Sequence, residues 1–269
     1  MITKELGNTG EHIPSIGIGT WKMGVDIKGE IEGIRYAIAN GADLIDTAEM
    51  YATEELVGEA IAGSEAFIAT KVSPHHFHKD DVIKACNSSL SKLGIKQIDL
   101  YQLHWPNKSI PISETMSAME QLVKEGKIRY IGVSNFSIEE LEEAQSVLKS
   151  NEIVSNQVEY SVLVRSPKKG LLRYMQRNHI TLIAYSPLAR GAIFSKKYAQ
   201  VLNKLEEVGA KYGISGAQTA LSWLVSQDNV VAIPKATGIN HTAQNIKAGQ
   251  IKLSDEDMHS IDSFLPDGA

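Results

Sequence analysis

The sequence predicts an α/β fold, a (β/α)8 TIM barrel with an N-terminal β-hairpin and extra C-terminal helices. Short apolar runs recur along the whole chain, each followed by a longer amphipathic or charged stretch, and they number eight. Continuously apolar strands joined by helices call for a parallel sheet covered by helices. Eight such units in 269 residues suit a closed barrel. The alternative is a doubly wound open sheet, and against it no G-x-G-x-x-G follows any of the runs.

Taken in order, the leading piece from Ile2 to Ile13, with Gly7 and Gly10, reads as a hairpin placed to plug the bottom of the barrel. The strand runs are Ile16 to Gly19, Asp43 to Ile45, Ala66 to Ala69, Ile98 to Leu103, Tyr130 to Val133, Ile153 to Gln157, Thr181 to Ala184 and Val230 to Ile233. Helix-like stretches between them include Gly29 to Ala39, Asp80 to Leu93, Ser113 to Lys124, Ile138 to Leu148 and Gly170 to Arg177. Ser137 followed by Glu140 is a capping box at a helix start. Gly41, Gly94, Gly126 and Gly213 fall where helices should stop, because glycine enters the left-handed conformation without a side-chain clash. Two segments are additional to the eight units: Tyr198 to Tyr212, ahead of a helix from Gly216 to Gln227, and a last helix beginning near Ser254. No linker or low-complexity segment interrupts the series, so a single domain over residues 1–269 is expected.

Composition narrows the function. With 43% hydrophobic and 22% charged residues the chain is globular, and a net charge of -5 without any basic run argues against a nucleic-acid partner. No apolar run approaches the roughly 20 residues that cross a bilayer, so no membrane partner is expected either. The opening MITKELGNTG lacks the apolar stretch of a signal peptide, and the lone Cys86 cannot form an internal disulfide. A cytoplasmic protein is expected. Cys86 reads as a small core residue. His75, His76 and His78 in PHHFHKD lie in a surface loop without a nearby cysteine, and no metal site is expected.

An eight-stranded barrel carries its active site at the C-terminal ends of its strands. Polar residues stand there throughout: Thr20 and Trp21, Asp46, Lys71, His104, Ser134 and Asn135, Gln157, Tyr185 and Ser186, and Lys235. Singly, the structural reading is strong for each, and a Tyr or His near a strand end is more often a satisfied structural residue. Asp46 and Lys71 could be a plain buried ion pair, Tyr51 a rim tyrosine, His104 a histidine bonded to backbone, and Ser134-Asn135 a helix cap. Together they describe an enzyme. A free phenol titrates near pH 10 and is a slow acid unless its phenolate is stabilised. Lys71 would lower the Tyr51 pKa by its charge, and Asp46 would keep Lys71 protonated. His104 would donate a hydrogen bond to a carbonyl oxygen and stabilise the charge developing there. After the last strand, Lys235 stands beside a helix start near Asn240, an arrangement that binds anions. Trp21, Met50, Trp105 and Phe136 adjoin these positions and are candidates for an apolar substrate wall, with packing the other reading.

The stretches LIDTAEMY, ATKV, LHWP, GVSNF, SNQVEYS, AYSPLARG and VVAIPKA run through nearly the whole chain, and by them it resembles the aldo-keto reductases. The resemblance implies a barrel that binds a nicotinamide cofactor without a Rossmann domain and reduces small carbonyl substrates. Hydride would pass from nicotinamide C4 to the carbonyl carbon, and the proton from Tyr51, assisted by Lys71, Asp46 and His104. By the same resemblance Ser134, Asn135 and Gln157 would bind the carboxamide and Tyr185 would stack on the ring. Thr20 and Trp21 also fall on the cofactor side. Ser186, Leu188, Arg190 and Gly191 would lie along the pyrophosphate. Pro234, Lys235 and Thr237 would approach the 2'-phosphate, and Gln244 and Asn245 the adenine.

The chain departs from that pattern at His241, where most members carry arginine, and at Ala236, where a serine is common. A histidine lacks the two-pronged, permanently charged guanidinium. Lys235 therefore supports NADP (NADPH), with NAD as the alternative cofactor. Only Leu265 to Ala269 follow the last helix, so an open pocket with broad selectivity is expected. Two other functions fit the same fold: a cofactor-binding regulatory barrel subunit with little turnover, and an isomerase or metal hydrolase sharing only the architecture.

Overall fold

In the computed structural model, which describes residues 1–265, the chain opens with an antiparallel hairpin of β1 (Thr3–Glu5) and β2 (His12–Pro14). The parallel strands follow as β3 (Ile18–Gly19), β4 (Leu44–Asp46), β5 (Phe67–Val72), β6 (Ile98–Leu103), β7 (Ile128–Ser134), β8 (Ile153–Glu159), β9 (Thr181–Tyr185) and β10 (Val230–Ala232). Each pairs with the next in sequence order. The two edges meet through a parallel bridge between Ile16 and Ala232, in which Gly17 N–H donates to Ala232 O and Ala232 N–H to Ser15 O, both at 2.9 Å. That closes the (β/α)8 barrel.

Helices α1 (Ile27–Ala39), α2 (Glu54–Ile61), α3 (Lys79–Leu93), α4 (Ile112–Lys124), α5 (Ile138–Val147) and α6 (Leu171–Arg177) fill the first six crossovers. Between β9 and β10 lie the additional α7 (Ala199–Ala210) and then α8 (Gly216–Ser226). After β10 come α9 (Ile239–Ala248), which packs against α1 to complete the ring, and the additional α10 (Asp255–Phe264), capped by Ser254. The capping box at Ser137 and Glu140 forms, and Gly41, Gly94, Gly126 and Gly213 all take positive φ. α2 is the crossover helix that periodicity does not announce. Its eight residues begin with two glutamates, and Glu54 is buried where it accepts a hydrogen bond from Thr70 Oγ1 at 2.8 Å.

The hairpin does plug the bottom of the barrel. Leu6 and Ile13, both essentially inaccessible, pack with Leu44, Phe67, Leu100 and Ile183 inside the ring. Gly7 makes this possible: its φ of +60° and the 3.0 Å that a Cβ would leave to Val154 exclude other residues there.

Side chains alternate along a strand, so residues two apart share the inner face. Asp46 therefore stands above Leu44, Lys71 above Ala69 and Phe67, Gln102 and His104 above Leu100, Tyr185 above Ile183, and Lys235 above Ile233. An apolar lower layer thus carries a polar upper one. Between β7 and β8 the register shifts at Ile131/Gly132, a bulge that brings Ser134 opposite Gln157. At Gly132 a Cβ would lie 2.6 Å from Ser155 Oγ and 2.9 Å from Gln102 Cγ, so glycine makes room for a buried glutamine in the barrel.

Candidate active site

Lys71 is fully buried at the end of β5, and its ammonium donates to Asp46 Oδ1 at 2.6 Å and to the Thr47 carbonyl at 2.9 Å. The second carboxylate oxygen, Asp46 Oδ2, accepts from Gln157 Nε2 at 2.8 Å and Gln102 Nε2 at 3.3 Å. Burial by itself would push the Lys71 pKa down; the charges and hydrogen bonds of Asp46 and Tyr51 outweigh it and hold the pKa above its usual value. Lys71 therefore stays charged, with Nζ 5.0 Å from the centre of the Tyr51 ring.

Tyr51 sits at the end of a short 3-10 turn after β4, Glu49–Tyr51, and its hydroxyl lies 3.4 Å from His104 Nε2. Lys71 does pull the Tyr51 pKa down, as the sequence reading has it, but a larger effect opposes it. The Tyr51 pKa is raised rather than lowered, because burial of the phenol outweighs the downward pull of Lys71, and Asp46 adds to the rise. At neutral pH the side chain holds its proton, and Lys71 stands where a developing phenolate would be stabilised.

His104 is desolvated and faces the Lys71 charge, which together lower its pKa to about 3. The ring is neutral, with Nδ1 buried and unpartnered. A buried lone pair without a partner is tolerated better than a buried N–H without one, so the proton belongs on Nε2, which faces Tyr51. This is the tautomer that donates to a carbonyl oxygen. A histidine kept neutral by folding binds fewer protons than its unfolded counterpart below pH 6.5. Stability should accordingly fall as pH drops from about 6.5 towards 3, and His104→Asn should flatten part of that slope in urea titrations at pH 7 and pH 5. An unchanged slope would show that His104 protonates freely in the folded state.

Asp46, Tyr51 and His104 form the floor of a cleft of about 600 Å3, with Lys71 buried behind them. Its walls include the predicted Thr20, Trp21, Met50, Trp105, Ser134 and Asn135. Gln157, Tyr185, Ser186, Leu188, Arg190, Gly191, Pro234 and Lys235 also line it. Tyr185 OH donates to Asn135 Oδ1 at 2.9 Å, and Asn135 Nδ2 donates to Ser134 Oγ at 2.9 Å and to the His104 carbonyl at 3.2 Å. Because Gln157 Nε2 is given to Asp46, its Oε1 is the group left for a ligand. Lys235 Nζ reaches across to the Lys22 carbonyl at 2.8 Å.

The remaining predicted residues lie elsewhere. Thr237 and His241 are exposed at the start of α9, Gln244 is exposed one turn on, and Asn245 is buried. None of the four lines the cleft. Phe136 is corrected to a core residue: at 3% exposure it packs in the cluster between barrel and helices, and packing is the reading that holds. Cys86 is buried, and its thiol is pushed up to about 12, which leaves no thiolate for chemistry. His76 and His78 pair with Glu49 and Glu114 on separate elements. Among the described residues no group of three or more His, Cys, Asp or Glu could hold a metal ion, and no helix is long and apolar enough to cross a membrane. Residues 266–269, part of the stretch behind the expectation of an open pocket, lie outside those described.

Four features were missed in the sequence. Lys22 and Phe194 line the cleft, Gln102 holds Asp46, and Glu49 braces the turn of Tyr51. Gln102 had a visible signal, a polar residue inside the apolar run Ile98 to Leu103, two before His104. Lys22 followed Trp21 directly. Phe194 gave none.

Comparison with known proteins agrees with this geometry. The model of the Aldo/keto reductase family matches residues 15–266. Methylglyoxal reductase YeaE of Escherichia coli (strain K12) is 38% identical, over 94% of this chain and 92% of its own length. Among solved structures, the thermostable aldo-keto reductase Tm1743, in complex with the inhibitor epalrestat, superposes with a TM-score of 0.91 at 44% identity, covering 98% of this chain and 99% of its own. An aldo-keto reductase from Klebsiella pneumoniae in complex with NADPH gives 0.91 at 36% identity, covering 100% and 98%. The chain belongs to the aldo/keto reductase family, the NAD(P)H-dependent oxidoreductases.

Proposed function

We propose that this NAD(P)H-dependent oxidoreductase reduces small aldehydes and ketones to alcohols, with NADP(H) as its cofactor. One observation carries the reading: Tyr51 OH and His104 Nε2, 3.4 Å apart at the base of the cleft, can both reach a single carbonyl oxygen, with the Lys71 ammonium behind the phenol. The chemistry of the walls fits a dinucleotide. Amide groups of Asn135 and Gln157 suit its carboxamide, the face of Tyr185 suits its ring, and Lys22, Arg190 and Lys235 suit its phosphates. Bound there, NADPH supplies the hydride that the carbonyl carbon accepts.

His104 holds the substrate oxygen by its Nε2–H and orients the carbonyl. Tyr51 delivers its proton to that oxygen as negative charge builds, and Lys71 stabilises the phenolate left behind. Asp46, gripped by two glutamine amides, keeps the ammonium charged and in place. Trp21, Met50 and Trp105, all exposed at the mouth, leave the carbonyl end of a small substrate in apolar surroundings. Methylglyoxal, the substrate in the name of the E. coli relative, is of the right size and chemistry. Its reduction should consume NADPH, followed by the loss of the cofactor's near-ultraviolet absorbance. Tight NADPH binding with no turnover of any aldehyde would instead favour the regulatory barrel subunit.

His241 decides between cofactors. Exposed on the first turn of α9, it would meet the 2'-phosphate with an imidazole in place of a permanent charge. His241→Arg should raise the ratio of kcat/KM with NADPH to that with NADH about tenfold, the gain of a charge-assisted pair. An unchanged ratio would mean that this face of α9 does not meet the phosphate.

A further inference from the structure

We propose that Glu49 is a positioning residue which fixes Tyr51 against Lys71, and that His76 of the PHHFHKD loop holds Glu49 in place; this rests on the reductase reading above. Lys71 and Tyr51 come from separate segments, one from β5 and the other from the turn after β4. Glu49 spans the gap. It lies two residues before Tyr51, and its Oε2 accepts the N–H of Ser73, two residues beyond Lys71, at 2.8 Å. Its Oε1 lies 2.6 Å from His76 Nδ1, an ion-pair contact when the imidazole is protonated.

The turn has few other restraints. None of its three residues is fully buried, no side chain caps its start, and it ends on Ala52 at a φ of 56°, a left-handed position that alanine disfavours. The loop that receives the carboxylate is stiffer. Pro74 opens the 3-10 turn Pro74–His76, His76 N–H donates to the Ser73 carbonyl at 2.9 Å, and His75 N–H donates to Ser73 Oγ at 3.3 Å. One carboxylate thus ties the segment presenting the acid to both ends of a rigid loop leaving the strand of the ammonium. The bond from Ser73 N–H to the carboxylate is charge-assisted, short and directional, suited to setting a separation. His78 faces Glu114 instead, so of these two loop histidines only His76 has this role.

The test reads the coupling of the two groups directly. Tyrosine labelled with 13C at the ring carbon bearing oxygen reports the Tyr51 titration by NMR, with Tyr51→Phe assigning the signal, and Lys71→Met measures how far the ammonium shifts it. In Glu49→Ala the Lys71→Met shift should shrink by about half or more, while kcat for methylglyoxal falls about tenfold and the Kd for NADPH stays within about twofold. Glu49→Gln should restore both, since its amide oxygen still accepts from Ser73. Ser73→Pro removes the donor at a backbone φ of -64°, already proline's own, and should reproduce Glu49→Ala without touching the carboxylate. His76→Ala should produce a smaller change in the same direction. Wild-type coupling and kcat in both Glu49→Ala and Ser73→Pro would overturn the proposal. Absence of any aldehyde turnover in the unmodified protein would refute the reductase reading alone, because the Tyr51 titration still judges the clamp.

Discussion

Replacing Tyr51 by phenylalanine should lower kcat for aldehyde reduction by roughly 10²- to 10⁴-fold, the usual contribution of a positioned general acid. The Kd for NADPH should hardly change. The substitution removes one oxygen from a partly buried ring and leaves its packing against His104 intact. What disappears is the hydroxyl 3.4 Å from His104 Nε2, and so the proton donor that, among the described residues, shares an oxygen site with it. The neutral His104 cannot take over: with a pKa lowered to about 3, its imidazole is a far weaker acid than an imidazolium, and it can donate a hydrogen bond without surrendering the proton. Stopped-flow measurement separates the outcomes, since an unchanged hydride-transfer rate at saturating NADPH would remove Tyr51 from the chemistry.

The raised pKa of Tyr51 refines this picture. Had Lys71 outweighed burial, the phenol would have held its proton less firmly. Burial keeps the proton on, and Lys71 acts on the charge only as it appears. That balance could not be read from the sequence, because it depends on how deeply a three-residue turn tucks a ring into the cleft. Which residues meet at the strand ends could be read. Asp46, Lys71 and His104 each follow an apolar run, and the two-residue alternation of a strand puts them on the inner face of any barrel. Mere adjacency to those positions, which made Phe136 a candidate for the substrate wall, was a weaker guide, and packing is the reading that held. Phe136 follows Asn135, whose φ of 63° turns the chain at the end of β7, and the next side chain swings from the cleft into the core. Gln157 was legible as a cleft residue, yet its bond to Asp46 needed the β7–β8 bulge to set the register, and nothing in the sequence marks that bulge. Glu49 looked like any charge on an exposed turn, since its partners lie some two dozen residues away on another loop.

Asp46→Asn should cost about 3–5 kcal/mol of stability, the penalty for leaving one member of a buried ion pair without its counter-charge. Lys71 has no exposure, and in Asp46→Asn its ammonium would keep only neutral acceptors, the new amide oxygen and the Thr47 carbonyl, while the amide nitrogen would face the Gln157 and Gln102 donors; losing the proton instead carries its own cost. Lys71→Met should cost less. The carboxylate it strands still accepts from Gln157 and Gln102 and borders the cleft, whereas the ammonium has no exposure. The two halves of the pair are therefore unequal, and the double variant Asp46→Asn/Lys71→Met should recover part of the loss seen with Asp46→Asn, since it buries no charge. Activity should not return with it, because the ammonium facing Tyr51 is gone. Urea unfolding of the three variants at pH 7 ranks these values. If Lys71→Met proves as costly as Asp46→Asn, the two glutamines do not support the carboxylate as their distances indicate, and the asymmetry argued here is wrong.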